Sequence, residues 1–184
     1  FLDRSSGLLY IVDTGNNAIK TLDILSGERG NDLPRMEPPG TTHYEMNNVA
    51  VNTLINGADF GLERPSGISI IEDTIFVTDN ANGKIMAFGM DGQYIDSLQT
   101  NLGDGALMGI YAAAIDDLWF TDAVNNKVWR LQPAAADANA SAIAGEYTAA
   151  IMIDDFAEST GWETPIPEEE LKMTGCNCCK LRDN

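Results

Sequence analysis

Apolar and polar residues alternate along most of residues 1–131, in short runs that small polar residues interrupt. Residues 9–22, for example, start with an apolar and aromatic run, pass through Asp, Gly and Asn, and return to alternation. A period of two residues predicts β-strands, and Asn and Gly between two such runs predict tight turns. This part of the chain is therefore predicted to be all-β.

Three segments align with one another without a gap: residues 9–22, 75–88 and 118–131. In each, an aromatic residue leads through an apolar residue and Val or Thr to Asp, and an Asn follows three residues later, with Asn or Gly after it. Each segment predicts a β-hairpin with a turn at those positions. The predicted turn residues are Asp13, Asn16, Asn17, Asp79, Asn82, Gly83, Asp122, Asn125 and Asn126.

The Asp of each repeat is interpreted as a structural residue. A carboxylate at the start of a turn can accept hydrogen bonds from the backbone N–H groups that follow it. Because Asp13, Asp79 and Asp122 occupy the same position in every repeat, a structural role is favoured over a catalytic one. No catalytic residue is predicted.

The strands extend beyond the hairpins and predict four-stranded units. Residues 65–99 contain four alternating runs, and the next repeat follows after 43 residues, so the units have the length of β-propeller blades. Counting from the repeats, the blades occupy about residues 1–62, 63–100 and 101–153, which together form one predicted propeller segment. A loop over residues 29–47, partly Pro-rich, is predicted to be inserted in the first blade.

Residues 65–92 resemble the NHL repeat, with Pro65-Ser66-Gly67-Ile68 at the start and Phe88-Gly89-Met90-Asp91-Gly92 at the end. The third unit is similar, although Met108-Gly109-Ile110 stands in place of Pro-x-Gly. The resemblance implies a β-propeller of four-stranded antiparallel blades, in a family whose members usually have six. Calcium-dependent lactonases of the gluconolactonase type have similar blades.

Three blades cannot close a ring, so the ring is predicted to be incomplete in this chain. The first residue, Phe1, falls within the expected first strand of its blade. We expect the remaining blades upstream in a longer protein. Completion of the ring by partner chains is the alternative.

The charge of the chain excludes several classes of partner. Its 184 residues include 28 Asp and Glu against 11 Lys and Arg, which gives a net charge of −17. Nucleic acids and anionic membrane surfaces require a basic surface, so neither is an expected partner. Apolar runs stay shorter than the ~18 residues that a membrane-spanning helix needs, and membrane insertion is not expected.

Residues 154–184 form a predicted acidic arm that ends in Cys176, Cys178 and Cys179. We prefer a disulfide role for these cysteines, since a second pair of metal ligands is missing from the sequence around them. Asn139 begins a glycosylation sequon in an Ala-rich segment. Together these features favour an extracellular or cell-surface location.

The sequence lacks the residue patterns that the enzymatic sites considered for this fold require. The single histidine, His43, cannot build the three-histidine zinc site of the NHL-like amidating lyases, nor is there a nucleophile motif for it to serve. No cofactor is predicted, and calcium stays open because oxygen ligands are plentiful. The candidate ligands are Glu63, Asp79, Asn80, Asp96, Asp116, Asp117 and Asp122.

The sequence therefore favours a non-enzymatic protein-interaction or structural module. Its partners would be another protein or neighbouring copies of the same protein, in an extracellular assembly or fibre. The first strands of the second and third blades, which would line a central channel, carry no acidic residue over residues 66–71 and 108–114. The alternative is a calcium-dependent hydrolase or lactonase with its site in that channel.

Overall fold

The structure, a computed structural model, describes residues 1–34, 43–133 and 147–154. These residues form β-strands and two short 3₁₀ turns, and they contain no α-helix. The strands are β1 (Leu2–Asp3), β2 (Leu8–Asp13), β3 (Ala18–Asp23), β4 (Glu28–Asp32), β5 (Tyr44–Asn47), β6 (Ala50–Asn56), β7 (Pro65–Ile71), β8 (Thr74–Asp79), β9 (Lys84–Gly89), β10 (Tyr94–Gln99), β11 (Leu107–Ala114), β12 (Asp117–Asp122), β13 (Lys127–Pro133) and β14 (Tyr147–Asp154).

Twelve of these strands form three antiparallel sheets of four strands each. The first sheet has the order β1-β2-β3-β6, the second β7-β8-β9-β10 and the third β11-β12-β13-β14. In each sheet the repeated hairpin supplies the two central strands, which are β2 and β3, β8 and β9, or β12 and β13. For the described residues, the prediction of an all-β fold with four-stranded antiparallel units is confirmed.

The second sheet lies between the other two and is buried on both faces. On one face, Phe76 and Ile85 pack with Leu118 and Phe120 of the third sheet. On the other face, residues of β8 and β9 pack with Tyr10 and Ile19 of the first sheet; they are Ile75, Val77, Met86 and Phe88. The alternation of a strand places neighbouring residues on opposite faces, and here both faces are apolar.

The inner strands of neighbouring sheets approach one another closely. The Ser69 hydroxyl of β7 accepts a hydrogen bond of 2.9 Å from the Ala112 backbone N–H of β11. A Cβ atom added to Gly67 would lie 2.9 Å from the Met108 carbonyl oxygen, so the close approach requires glycine. The three sheets thus follow one another in a propeller-like arc, and the described residues do not close a ring.

The inserted segment differs from the prediction of a loop. Within residues 29–47, the described part forms a two-stranded antiparallel hairpin of β4 and β5. Cross-strand contacts of polar residues hold it, since the Arg29 guanidinium lies 4.6 Å from the centre of the Tyr44 ring and the Asn31 amide donates to the Glu45 carboxylate at 3.4 Å. These strands were not predictable from the sequence, because β4 has no apolar residue and therefore no alternation of apolar and polar residues.

Several predictions fall outside the described residues. They are the Pro-rich part of the insertion over residues 35–42, the Ala-rich segment with Asn139, and residues 155–184 with Cys176, Cys178 and Cys179.

Candidate functional site

The repeated Asp-x-x-Asn turns have the same side-chain hydrogen bond in all three sheets. The Asn16, Asn82 and Asn125 amides donate to Asp13, Asp79 and Asp122, at distances of 2.8–3.0 Å. The following residue adopts a left-handed conformation in each turn, with φ of 52° at Asn17, 62° at Gly83 and 54° at Asn126. The sequence pattern predicts Asn as a turn residue and does not by itself specify this hydrogen bond. The constant i, i+3 spacing was the available signal for the Asn–Asp bond.

Asp79 lies at the centre of the most extensive of these networks. Its side chain is fully buried and accepts four hydrogen bonds. Three come from backbone N–H groups, those of Glu63, Arg64 and Ala81, at 3.0–3.1 Å. The fourth comes from the Asn82 amide. A carboxylate has about four acceptor sites, so these four donors fill the acceptor sites of Asp79.

The equivalent carboxylates of the other two sheets differ in their environment. Burial raises the pKa of Asp122, but hydrogen bonds from Asn125 and the Trp129 indole outweigh it and hold the pKa below its ordinary value. At Asp13, hydrogen bonds from Lys20 and Asn16 lower the pKa. Both groups are therefore ionised at neutral pH and already matched to donors within their own sheet.

In the first two turns, the residue after the Asp connects the turn to the following sheet. The Thr14 hydroxyl donates to the Pro65 carbonyl oxygen at 2.7 Å, and the Asn80 amide donates to the Leu107 carbonyl oxygen at 2.6 Å. Pro65 and Leu107 occupy matching positions, because each pairs with the repeat Asp of its own sheet. The corresponding residue of the third sheet is Ala123, which has no side-chain donor.

The residues considered for calcium do not converge. Within the described ranges, no three or more His, Cys, Asp or Glu side chains are grouped so that they could hold a metal ion. Asp117 forms two hydrogen bonds of 2.8 Å with the Arg130 guanidinium. Asp96 accepts the Ser97 backbone N–H at 2.7 Å, and Asn80 is occupied by Leu107 and by Arg64. These oxygens serve the fold locally.

Four exposed apolar side chains lie within the hairpin of β4 and β5 or next to it in the sequence. Leu25, at the turn before the hairpin, is 76% exposed. Leu33, Tyr44 and Met46 are exposed as well, and none of them belongs to either apolar core. His43 lies at the end of the hairpin, where its carbonyl oxygen accepts the Leu33 backbone N–H. Tyr44 and Met46 are alternate residues of β5 and therefore share one face of the hairpin. Neighbouring exposed apolar side chains of this kind are typical of protein-binding surfaces.

Comparison with known proteins supports the fold and leaves the family open. No protein-family model matches the sequence, and no curated protein matches it significantly. A solved structure entitled "Crystal structure of Nidogen/Laminin Complex" is similar, with a TM-score of 0.55 and 18% sequence identity over 84% of this chain. The chain covers 47% of that solved chain, so it spans about half of its length. The similarity concerns the fold.

A search of the described residues found no helix that is both long and apolar enough to cross a membrane.

Proposed function

We propose that the chain is a non-enzymatic protein-interaction module, a segment of an NHL-like β-propeller in a secreted or cell-surface protein. The observation that carries the proposal is the exposure of apolar side chains in and next to the hairpin, which are Leu25, Leu33, Tyr44 and Met46. This hairpin stands apart from both cores, so the fold does not require these side chains to be apolar. A similar solved structure comes from a complex of two proteins, which agrees with the proposal.

The hydrogen bonding of the acidic residues also supports a module without catalytic chemistry. Asp79, Asp122 and Asp117 are all occupied by donors of their own sheet. A calcium-dependent hydrolase needs carboxylates that are free to bind the ion. The network around Asp79 instead stabilises the start of the second sheet.

Binding through the hairpin can be tested with paired variants. The triple variant Leu25→Ser, Tyr44→Ser and Met46→Ser removes the apolar surface. The control, Ile95→Ser with Val124→Ser, removes exposed apolar side chains elsewhere. The immobilised proteins are incubated with extracellular fluid, and the retained proteins are identified by mass spectrometry. Proteins that the wild type and the control retain but the hairpin variant does not are then purified. Each is titrated against the wild-type chain, the control and the hairpin variant.

We expect at least one purified protein to bind the wild-type chain and the control alike, and to lose about tenfold or more of its affinity for the hairpin variant. Equal binding by all three proteins would overturn the role of the hairpin. Hydrolysis of a lactone by the wild-type chain, dependent on added calcium, would overturn the non-enzymatic assignment.

A further inference from the structure

Two sheet faces are uncovered in the described structure, one at each end of the arc. The first sheet carries a continuous apolar row, because Leu2, Leu9, Leu22 and Val51 lie opposite one another across its four strands. We name this surface, together with Ile11, the Leu9 face. None of its side chains belongs to either apolar core.

The uncovered face of the third sheet lies at the other end of the arc. There Tyr111 is opposite Trp119, and Trp119 is opposite Arg130. Thr121 and Val128 form the neighbouring pair. These residues line a shallow apolar groove, which we name the Trp119 face. The Trp119 indole nitrogen is buried and has no hydrogen-bond partner among the described residues.

The repeat alignment shows that the two faces correspond to the two surfaces that pack together where neighbouring sheets meet, which we call a junction. In the junction of the second and third sheets, Phe76 and Ile85 pack against the third-sheet residues Leu118, Phe120 and Leu131. Trp119 and Val128 occupy the positions of Phe76 and Ile85 in the third repeat. The Leu9 face supplies the other half, since Leu9, Ile11 and Leu22 occupy the positions of Leu118, Phe120 and Leu131.

The charged residues on these faces already have partners within their own sheets. On the first sheet, Lys20 pairs with Asp13. On the third, Arg130 pairs with Asp117, and its guanidinium lies 5.2 Å from the centre of the Trp119 ring. Burial of either face would therefore leave no unpaired charge. An unpaired charge is the main energetic cost of burying charged side chains.

We infer that the Trp119 face of one copy packs on the Leu9 face of a second copy, and that the same contact forms in the opposite direction. Two arcs of three sheets then give six sheets, within the range of closed propellers. The twofold axis makes the assembly a closed dimer, the commonest symmetry of homo-oligomers. The inference rests on the proposed function, because it names a second copy as a protein partner.

The junction between copies is weaker than the junctions within a chain. Thr14 and Asn80 each donate a side-chain hydrogen bond to the next sheet, whereas Ala123 at the matching position cannot. The contact between copies therefore relies on apolar packing, and we expect a reversible dimer.

Sedimentation velocity of the chain, under reducing conditions that remove cysteine-linked species, tests the inference. The wild-type chain should shift from its single mass of 19.9 kDa to twice that mass as its concentration rises. Tyr111→Lys on the Trp119 face and Ile11→Lys on the Leu9 face should each raise the dissociation constant by about tenfold or more. Val124→Lys, at an exposed turn residue that belongs to neither face, should leave it unchanged.

Mixing the two weakened variants identifies the direction of the contact. In a mixed dimer one junction carries both substitutions and the other carries none, whereas each variant alone has a defect in both junctions. The mixture should therefore dimerise more strongly than either variant alone. Circular dichroism checks that both variants keep the β-sheet spectrum of the wild type.

Three outcomes overturn the inference. They are a monomer at all concentrations, a dimer that Ile11→Lys leaves intact, and an open series of masses above the dimer. The binding experiment on the hairpin is independent of all three, so the proposed function can survive the failure of the dimer.

Discussion

At the scale of single residues, the Asp that recurs at the same position of each repeat has a different environment in each of the three sheets. The repeat Asp is fully buried at Asp79, nearly so at Asp122 and partly exposed at Asp13, where 20% of the side chain is accessible. The residue type and its spacing to Asn were readable from the sequence. The donors from Glu63 and Arg64 were not, because they lie in the connection between the first and second sheets and reach Asp79 only after those sheets pack.

Replacement of the repeat Asp should therefore have graded effects. Asp79→Ala leaves three backbone N–H donors and the Asn82 amide without an acceptor, and we expect it to lower the free energy of unfolding by about 3 kcal/mol. Asp13→Ala removes contacts that water can replace, and its effect should be much smaller. Urea denaturation of the two variants measures the difference. A loss at Asp13 as large as that at Asp79 would contradict a role set by burial.

At the scale of elements, the three repeats share a strand pattern but differ in what covers them. The second sheet is packed on both faces, whereas the first and third are each packed on one. The hairpins were predictable because Asp, Asn and Gly mark their turns. The hairpin of β4 and β5 was not, since polar contacts between its strands replace apolar alternation.

The matched positions Phe76 and Trp119 test this difference in packing. Phe76→Ala opens a cavity between two sheets and should cost about 3–5 kcal/mol of unfolding free energy. Trp119→Ala removes a ring from an uncovered face and should cost clearly less, at concentrations where the chain is monomeric. Thermal or urea denaturation compares them, with Phe76→Leu as a milder variant in case Phe76→Ala does not fold. Equal losses would mean that the Trp119 face is covered within the monomer.

At the scale of the whole molecule, acidic repulsion opposes apolar packing. The net charge of −17 is spread over a chain in which the described ion pairs are few and partly exposed. Repulsion among like charges destabilises a compact state and also slows the association of two copies. Binding of a partner with a basic surface would be favoured for the same reason.

Salt should consequently stabilise the chain. Raising sodium chloride from about 0.05 M to about 0.5 M shortens the Debye length to a few ångströms, and we expect the thermal unfolding midpoint to rise. Calcium at about 1 mM, added at constant ionic strength, should give no further rise. A fall with sodium chloride would mean that the ion pairs outweigh the repulsion. A large rise specific to calcium would revive the calcium-dependent enzyme.

The sequence by itself determined the repeat and the strands and turns of the repeated hairpins, because these depend on contacts between residues close along the chain. The period of two, the Asp-x-x-Asn spacing and the left-handed Asn or Gly are all local properties. Only the tertiary structure decided which carboxylate is buried, which sheet face is covered and which apolar side chains stay exposed. Those outcomes depend on contacts between residues that are distant in sequence, such as the hydrogen bond between Asn80 and Leu107. A strand that is apolar on both faces does not specify which other sheet will cover each face.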